Sequence, residues 1–187
     1  MRKFLRLLLL WSLILSACSA IPAAPQTVSP GTTEPPTSLP TTAVPDPQNC
    51  GYQWAYQDLP ELSSSFQQSL QALQPQAQAT AFAFGENCIL ADGSIGGFLP
   101  METDFNITLQ VRDLNNEADL GEWIMKVMQV ITEIPPEQIV GPRPGRVSLT
   151  FQSGENQKVV NFYINQYQEL PAGLSAAEIF QQLQIPQ

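Results

Sequence analysis

The chain has 187 residues, a formal net charge of −9 and no histidine. An acidic chain is a poor ligand for nucleic acid and for anionic lipid headgroups, because both carry negative charge. The missing histidines exclude Ser-His-Asp and Cys-His catalysis, imidazole metal sites and histidine-based pH switches. We therefore expect a non-catalytic protein with no bound metal, no cofactor and no nucleic-acid partner.

The first residues of the chain carry a targeting pattern. Basic residues at positions 2, 3 and 6 precede an apolar run over residues 7–15, which only Ser12 interrupts. The run is too short to span a bilayer, which takes ~20 apolar residues. A basic segment followed by a short apolar segment is typical of a cleaved signal peptide, here residues 1–17.

The signal peptide ends in the tetrapeptide Leu15-Ser16-Ala17-Cys18. This tetrapeptide resembles the lipobox of bacterial lipoprotein precursors, in which an aliphatic residue and two small residues precede a cysteine. The resemblance covers residues 1–18 only. It implies that Cys18 receives a diacylglycerol and becomes the N-terminus, so that a covalent lipid anchors the protein to the extracytoplasmic side of a bacterial membrane. The alternative is an ordinary secretory signal cut at a small-residue site, with Cys18 incidental.

Residues 18–48 form the second predicted segment. They are dense in proline, threonine and serine and lack any apolar period, so they cannot bury enough surface to offset the entropy of ordering. Proline-rich chain is extended and semi-rigid, at ~3.1 Å per residue. We interpret the segment as a stalk between lipid and domain. The alternatives are a ligand for a proline-recognising groove and an O-glycosylation tract.

Two cysteines remain once Cys18 is assigned to lipid, and they are Cys50 and Cys88. Outside the cytoplasm an isolated pair is most simply a disulfide. A redox pair is the alternative, but it usually occupies a tight Cys-x-x-Cys.

Residues 49–187 have the size of one domain. Apolar residues at helical spacing predict three helices, one from an Asp58 N-cap to about Gln74, one from about Asn116, and one from a capping box at Ser175. Alternating patterns predict strands over 77–89, 101–112, 147–151 and 159–164. The economical arrangement is α+β: a two-layer sandwich of a four-stranded, mostly antiparallel sheet with amphipathic helices on one face.

Two groups of side chains are candidate sites. Tyr52, Trp54 and Tyr56 share one face if residues 51–57 are extended, and aromatic faces suit sugar rings or a partner protein. We interpret them first as a cover for one end of the core beside Cys50. Glu102 and Asp104 are expected ~7 Å apart on one strand face, a separation that could serve two-carboxylate glycoside hydrolysis. The same spacing occurs on any strand face exposed to water, and the sequence marks neither acid as buried.

These observations leave two functional hypotheses. Cleavage before Cys18 leaves five basic and 17 acidic residues, a net charge of −12, on a tethered domain without a catalytic constellation. The first hypothesis is a non-catalytic binding or assembly module of the cell envelope with a protein partner. The second is a domain that binds or cleaves cell-wall carbohydrate through the aromatic row and the two acids.

Overall fold

The structure is a computed structural model, and it describes residues 50–184. The predicted signal peptide, the predicted lipidation site Cys18 and the predicted stalk lie outside the described residues. The described residues belong to one compact unit. No helix within residues 50–184 combines the length and the apolar composition that crossing a membrane would require.

Five strands and four α-helices make up this unit. In chain order they are β1 (Gly51–Asp58), α1 (Pro60–Leu73), β2 (Gln78–Ile89), β3 (Ile95–Gln110), α2 (Glu117–Thr132), β4 (Arg146–Ser153), β5 (Asn156–Tyr163), α3 (Ile164–Gln168) and α4 (Ala176–Gln184). A single 3-10 turn, Pro136–Gln138, follows α2.

The strands form one sheet in the order β1-β2-β3-β4-β5. The β3–β4 pair is parallel and the other three pairs are antiparallel. The α+β prediction is confirmed at this level, and the four predicted strands correspond to β2, β3, β4 and β5, which pair as the antiparallel hairpins β2–β3 and β4–β5. The predicted number of four strands is wrong, because β1 adds a fifth strand that pairs with β2 from Gly51 opposite Ile89 to Asp58 opposite Phe82. The sequence did not predict this strand as part of the sheet because seven of its eight residues are exposed, so that no alternation of buried and exposed residues marks it.

The core lies between the helices and one face of the sheet. Phe66 of α1 meets Phe105 of β3 edge to face, with ring centroids 5.0 Å apart, and Phe151 of β4 lies 6.5 Å from Phe180 of α4. Such edge-to-face pairs stabilise beyond the area that they bury. Helices α1, α2 and α4 share this single apolar cluster with β2 to β5. Among residues 50–184, no helix packs on the opposite face of the sheet, which we call the open face.

Strand β2 divides large from small side chains between the two faces. Ala79, Ala81 and Ala83 are buried on the helix side, where their small size lets α1 approach. The hydroxyl of Ser63 in α1 donates to the Ala81 carbonyl and accepts from the Ala81 N–H, both at 2.9 Å. The alternation then places Phe82 and Phe84 on the open face.

The predicted helix starts have different outcomes. The Asn116 side chain accepts from the Asp119 N–H and caps α2, and Ser175 with Glu178 forms the predicted capping box before α4. The predicted Asp58 N-cap is wrong. Asp58 is the last residue of β1, and Leu59 precedes α1 without a side-chain cap. Pairing with β2 thus keeps Asp58 in strand β1, although the side chain of an aspartate at this point in the sequence would by itself favour a helix N-cap.

Candidate binding surface on the open sheet face

Four aromatic rings from β1 and β2 form a continuous row on the open face, which we call the aromatic ladder: Trp54, Tyr56, Phe82 and Phe84. Trp54 stacks on Phe84, with centroids 5.2 Å apart and planes 14° apart. Tyr56 lies 5.1 Å from Phe84 and 5.3 Å from Phe82. Tyr52 continues the row along β1, opposite Cys88. Cross-strand contacts of this kind hold the rings in fixed positions.

The β1 aromatics are exposed, and this corrects our first interpretation of them as a cover for the core. Tyr52 is 46%, Trp54 60% and Tyr56 62% exposed. They lie on the open face, and β1 is the edge strand of the sheet that residues 50–184 form, so in this part of the chain they have strand neighbours on one side only. Contiguous exposed apolar surface of this kind is typical of a site of interaction rather than of a chance arrangement of residues.

The two acids of β3 lie beside the ladder. Phe84 is opposite Glu102 and Phe82 is opposite Asp104 in the β2–β3 register. Glu102 is 8% and Asp104 3% exposed. The interpretation of these acids as ordinary water-facing strand residues is therefore wrong. A charged side chain that is nearly buried has to be compensated by partners or costs free energy.

A loop that runs along β3 provides partners for these acids. The register skips Met101, which forms a β-bulge, and the Met101 carbonyl accepts the N–H of Arg143 at 3.0 Å. Gly141 packs against this bulge at a φ of +88°, where a Cβ would lie 2.3 Å from the Met101 carbonyl carbon. Only glycine fits there, since the position combines a left-handed backbone with close approach. The loop thereby brings Arg143 beside Glu102 and leads into β4.

The two carboxylates are satisfied to different extents. Asp104 accepts the backbone N–H of Arg146 at 2.7 Å, and the Arg146 guanidinium lies 4.0 Å from its other oxygen. Among residues 50–184, Glu102 has neither a hydrogen bond to its carboxylate nor an ion pair within 4.0 Å. No fully buried side-chain oxygen in this part of the chain lacks a partner, so the Glu102 oxygens keep a small accessible area. Glu102 therefore offers free acceptor capacity at the surface.

Burial raises the pKa of both carboxyl groups. For Glu102, desolvation is the largest cause, the charge of Asp104 raises its pKa further, and Arg143 and Arg146 lower it by less. For Asp104, desolvation again dominates over the N–H and the charge of Arg146, which lower its pKa. Carboxyl groups with shifted pKa values cluster at functional sites, although structural ion pairs show pKa shifts as well.

The raised pKa of Glu102 predicts how its replacement by glutamine changes stability. A pKa above its unfolded value means that the folded state binds more protons, so the free energy of unfolding falls as pH rises through that window. At neutral pH, which lies above the unfolded-state pKa, the destabilisation caused by the raised pKa of Glu102 is present, and Glu102→Gln removes it. We expect the variant to be more stable than wild type at neutral pH, with the difference vanishing below the ordinary carboxyl value of 4.5. Urea unfolding at a series of pH values measures this.

The matched control for this experiment is Glu155→Gln, in the exposed turn between β4 and β5. It should leave the unfolding curve unchanged at every pH. A Glu102→Gln variant that is less stable than wild type at neutral pH would instead mean that Arg143 holds the carboxylate in a stabilising ion pair.

Sequence reasoning found part of this surface. It named the three β1 aromatics and the two acids, but it missed Phe82, Phe84, Arg143 and Arg146. The alternation of alanine with phenylalanine over residues 79–84 was the available signal for the β2 rings. The arginines carried no signal, because the glycine-dependent approach of their loop to β3 is a tertiary feature.

The described residues contain no candidate metal site. No group of three or more cysteine, aspartate or glutamate side chains within residues 50–184 is arranged to hold a metal ion. Comparison of the whole chain with protein-family models, with curated proteins and with solved structures finds no match.

Proposed function

We propose that the protein is a lipid-anchored extracytoplasmic lipoprotein whose domain is a non-catalytic binding module of the cell envelope. The lipobox supports the anchor. The single observation that supports binding is the exposed row of Tyr52, Trp54 and Tyr56 on the uncovered sheet face. Large aromatic side chains dominate binding interfaces, because they bury much area at little cost in conformational entropy.

The geometry of β1 adds to this argument. A strand with both faces and one edge exposed contributes little to the core, so its aromatic residues gain little folding free energy where they stand. Rings held rigidly at the surface are nevertheless well suited to bind, because their positions are fixed before the partner arrives. We infer that the open face of β1 and β2 is the binding surface of the module.

Site-specific photocrosslinking in cells tests this function. We expect a photoreactive phenylalanine analogue in place of Tyr52 to form an adduct with an envelope component, because this position borders the ladder without belonging to it. The adduct is detected as a shift in mobility of the full chain and is identified by mass spectrometry.

The control carries the same photoreactive residue at Met125. This side chain is 42% exposed, close to the exposure of Tyr52, but it lies on α2 in the helical layer. An adduct yield at position 52 no higher than at position 125 would contradict a binding role for the open face.

A further inference from the structure

The chemistry around the ladder narrows the ligand class. We propose that the aromatic ladder and Glu102 form a site for a glycan chain that carries no acidic groups. This inference rests on the proposed binding function and deepens it, and it includes no cleavage of the glycan.

The site combines the ring surfaces of the aromatic ladder with an unused hydrogen-bond acceptor, the Glu102 carboxylate. A sugar ring presents an apolar face of C–H groups and an edge of hydroxyl donors. Tyr56, Phe84 and Glu102 are consecutive neighbours across three strands, each ~4.8 Å from the next. A sugar packed on the Tyr56 and Phe84 rings would therefore have its hydroxyls beside the Glu102 carboxylate. A purely apolar partner would leave this carboxylate buried and unpaired, which costs free energy.

A strip of polar side chains continues the same face beyond the two acids. Asn106 and Thr108 of β3 lie opposite Ser148 and Thr150 of β4. Together with Gln78 and Thr80 of β2 they line one shallow depression. Within the described residues none of these four β3 and β4 side chains is engaged in a hydrogen bond. Hydroxyl and amide groups both donate and accept, so the strip suits the hydroxyls of further sugar units.

The excess of acidic residues on the open face also favours a ligand without acidic groups. The acids of this face are Asp58, Glu86, Glu102 and Asp104. They outnumber the two arginines beside them, Arg143 in the loop and Arg146 at the start of β4. The mature chain as a whole is also strongly negative. A ligand with carboxylate or sulfate groups would meet repulsion both at the site and at long range. Glycans without acidic groups pay no such cost.

Binding of the full, purified chain to a panel of glycans tests the proposal. The panel contains insoluble glucan, chitin and mannan, soluble oligomers of the same sugars, and polygalacturonate as the acidic comparison. We expect retention by at least one of the non-acidic glycans and none by polygalacturonate. Isothermal titration with the soluble oligomers then gives the affinity of each variant.

Three variants and one control locate the site. Trp54→Ala and Tyr56→Ala should each weaken binding about tenfold, the loss of a well-packed ring contact. Glu102→Gln keeps the shape but weakens the acceptor, and it should also weaken binding about tenfold. The urea unfolding curve of this variant at the pH of the binding measurement shows whether it is folded, and so separates a loss of affinity from a loss of stability. Met125→Ala should bind as wild type does.

The outcomes separate the glycan inference from the function on which it rests. Absence of binding to every non-acidic glycan, unchanged affinity of Trp54→Ala, or preference for polygalacturonate overturns the glycan proposal. Inhibition by oligolysine stronger than by neutral oligomers overturns it too, since the site would then select cations. A protein adduct at position 52 without glycan binding overturns only the glycan inference, whereas no adduct and no glycan binding overturns both.

Discussion

Replacement of Cys18 by alanine is expected to abolish membrane attachment completely. In the lipoprotein family that residues 1–18 resemble, the cysteine sulfur carries the diacylglycerol, so alanine leaves no sulfur to which it could be attached. Each buried CH₂ contributes ~0.8 kcal/mol, and two acyl chains hold durably where one chain holds only reversibly. Incorporation of labelled palmitate, followed by separation of membrane from soluble fractions, measures the change. The wild-type chain should be labelled and sediment with membranes, and the variant should do neither.

The other two cysteines provide the control for this experiment. A Cys50→Ala/Cys88→Ala double variant keeps Cys18 and should be labelled as fully as wild type. A soluble, unlabelled wild-type chain would contradict the anchor and favour an ordinary secretory signal. Because binding at the ladder does not need the lipid, Cys18→Ala should keep the affinity of the purified chain for its ligand.

The accuracy of the sequence predictions follows the range of the interactions that decide each element. Helix α2 and the capping box before α4 depend on contacts three or four residues apart, and both were predicted correctly. Strand β3 was predicted from residue 101 onward because apolar and polar residues alternate there, but it begins six residues earlier, at Ile95, where no such alternation marks it. Strand β1 was missed because its stability comes from pairing with β2, about 30 residues away in sequence, which no local pattern encodes.

The candidate site shows the same division. The aromatic residues of β1 could be placed on one face by period two, but whether that face is covered depends on where the helices pack. Glu102 and Asp104 could be placed on one face as well. Their burial depends on the bulge at Met101 and on the loop at Gly141, and these two features meet only in the folded chain. The sequence therefore predicted the members of the site better than their environment.

Loss of the disulfide is expected to have the largest effect on stability within the described domain. Cys50 and Cys88 are joined, with Cα atoms 4.9 Å apart, as the sequence predicted. The two cysteines are 38 positions apart in the sequence, and closing a loop of this length contributes about 3–4 kcal/mol on the chain-entropy model. The Cys50→Ala/Cys88→Ala variant should lose about this much free energy of unfolding, as measured by urea titration.

Reduction of the wild-type chain separates the crosslink from packing. Cys88 is fully buried, so alanine in its place also leaves a small cavity, whereas the reduced thiol keeps the volume. A loss in the double variant without a comparable loss on reduction would assign the effect to packing. Cys18→Ala is the matched control, since it removes a cysteine without touching the bridge, and its unfolding midpoint should equal that of wild type.

The bridge also has a consequence for the binding surface that a stability measurement alone would miss. It joins the residue before β1 to β2, and within the part of the chain that the structure describes β1 has neither a second strand partner nor a buried face to hold it. We therefore expect the amide hydrogens of residues 51–58 to exchange faster in the double variant than those of β3 and β4, at conditions where the core remains folded. Because Trp54 and Tyr56 lie on this strand, ligand affinity should fall together with that protection. Protection of β1 equal to that of β3 would mean that the ladder rings alone hold the edge strand in place.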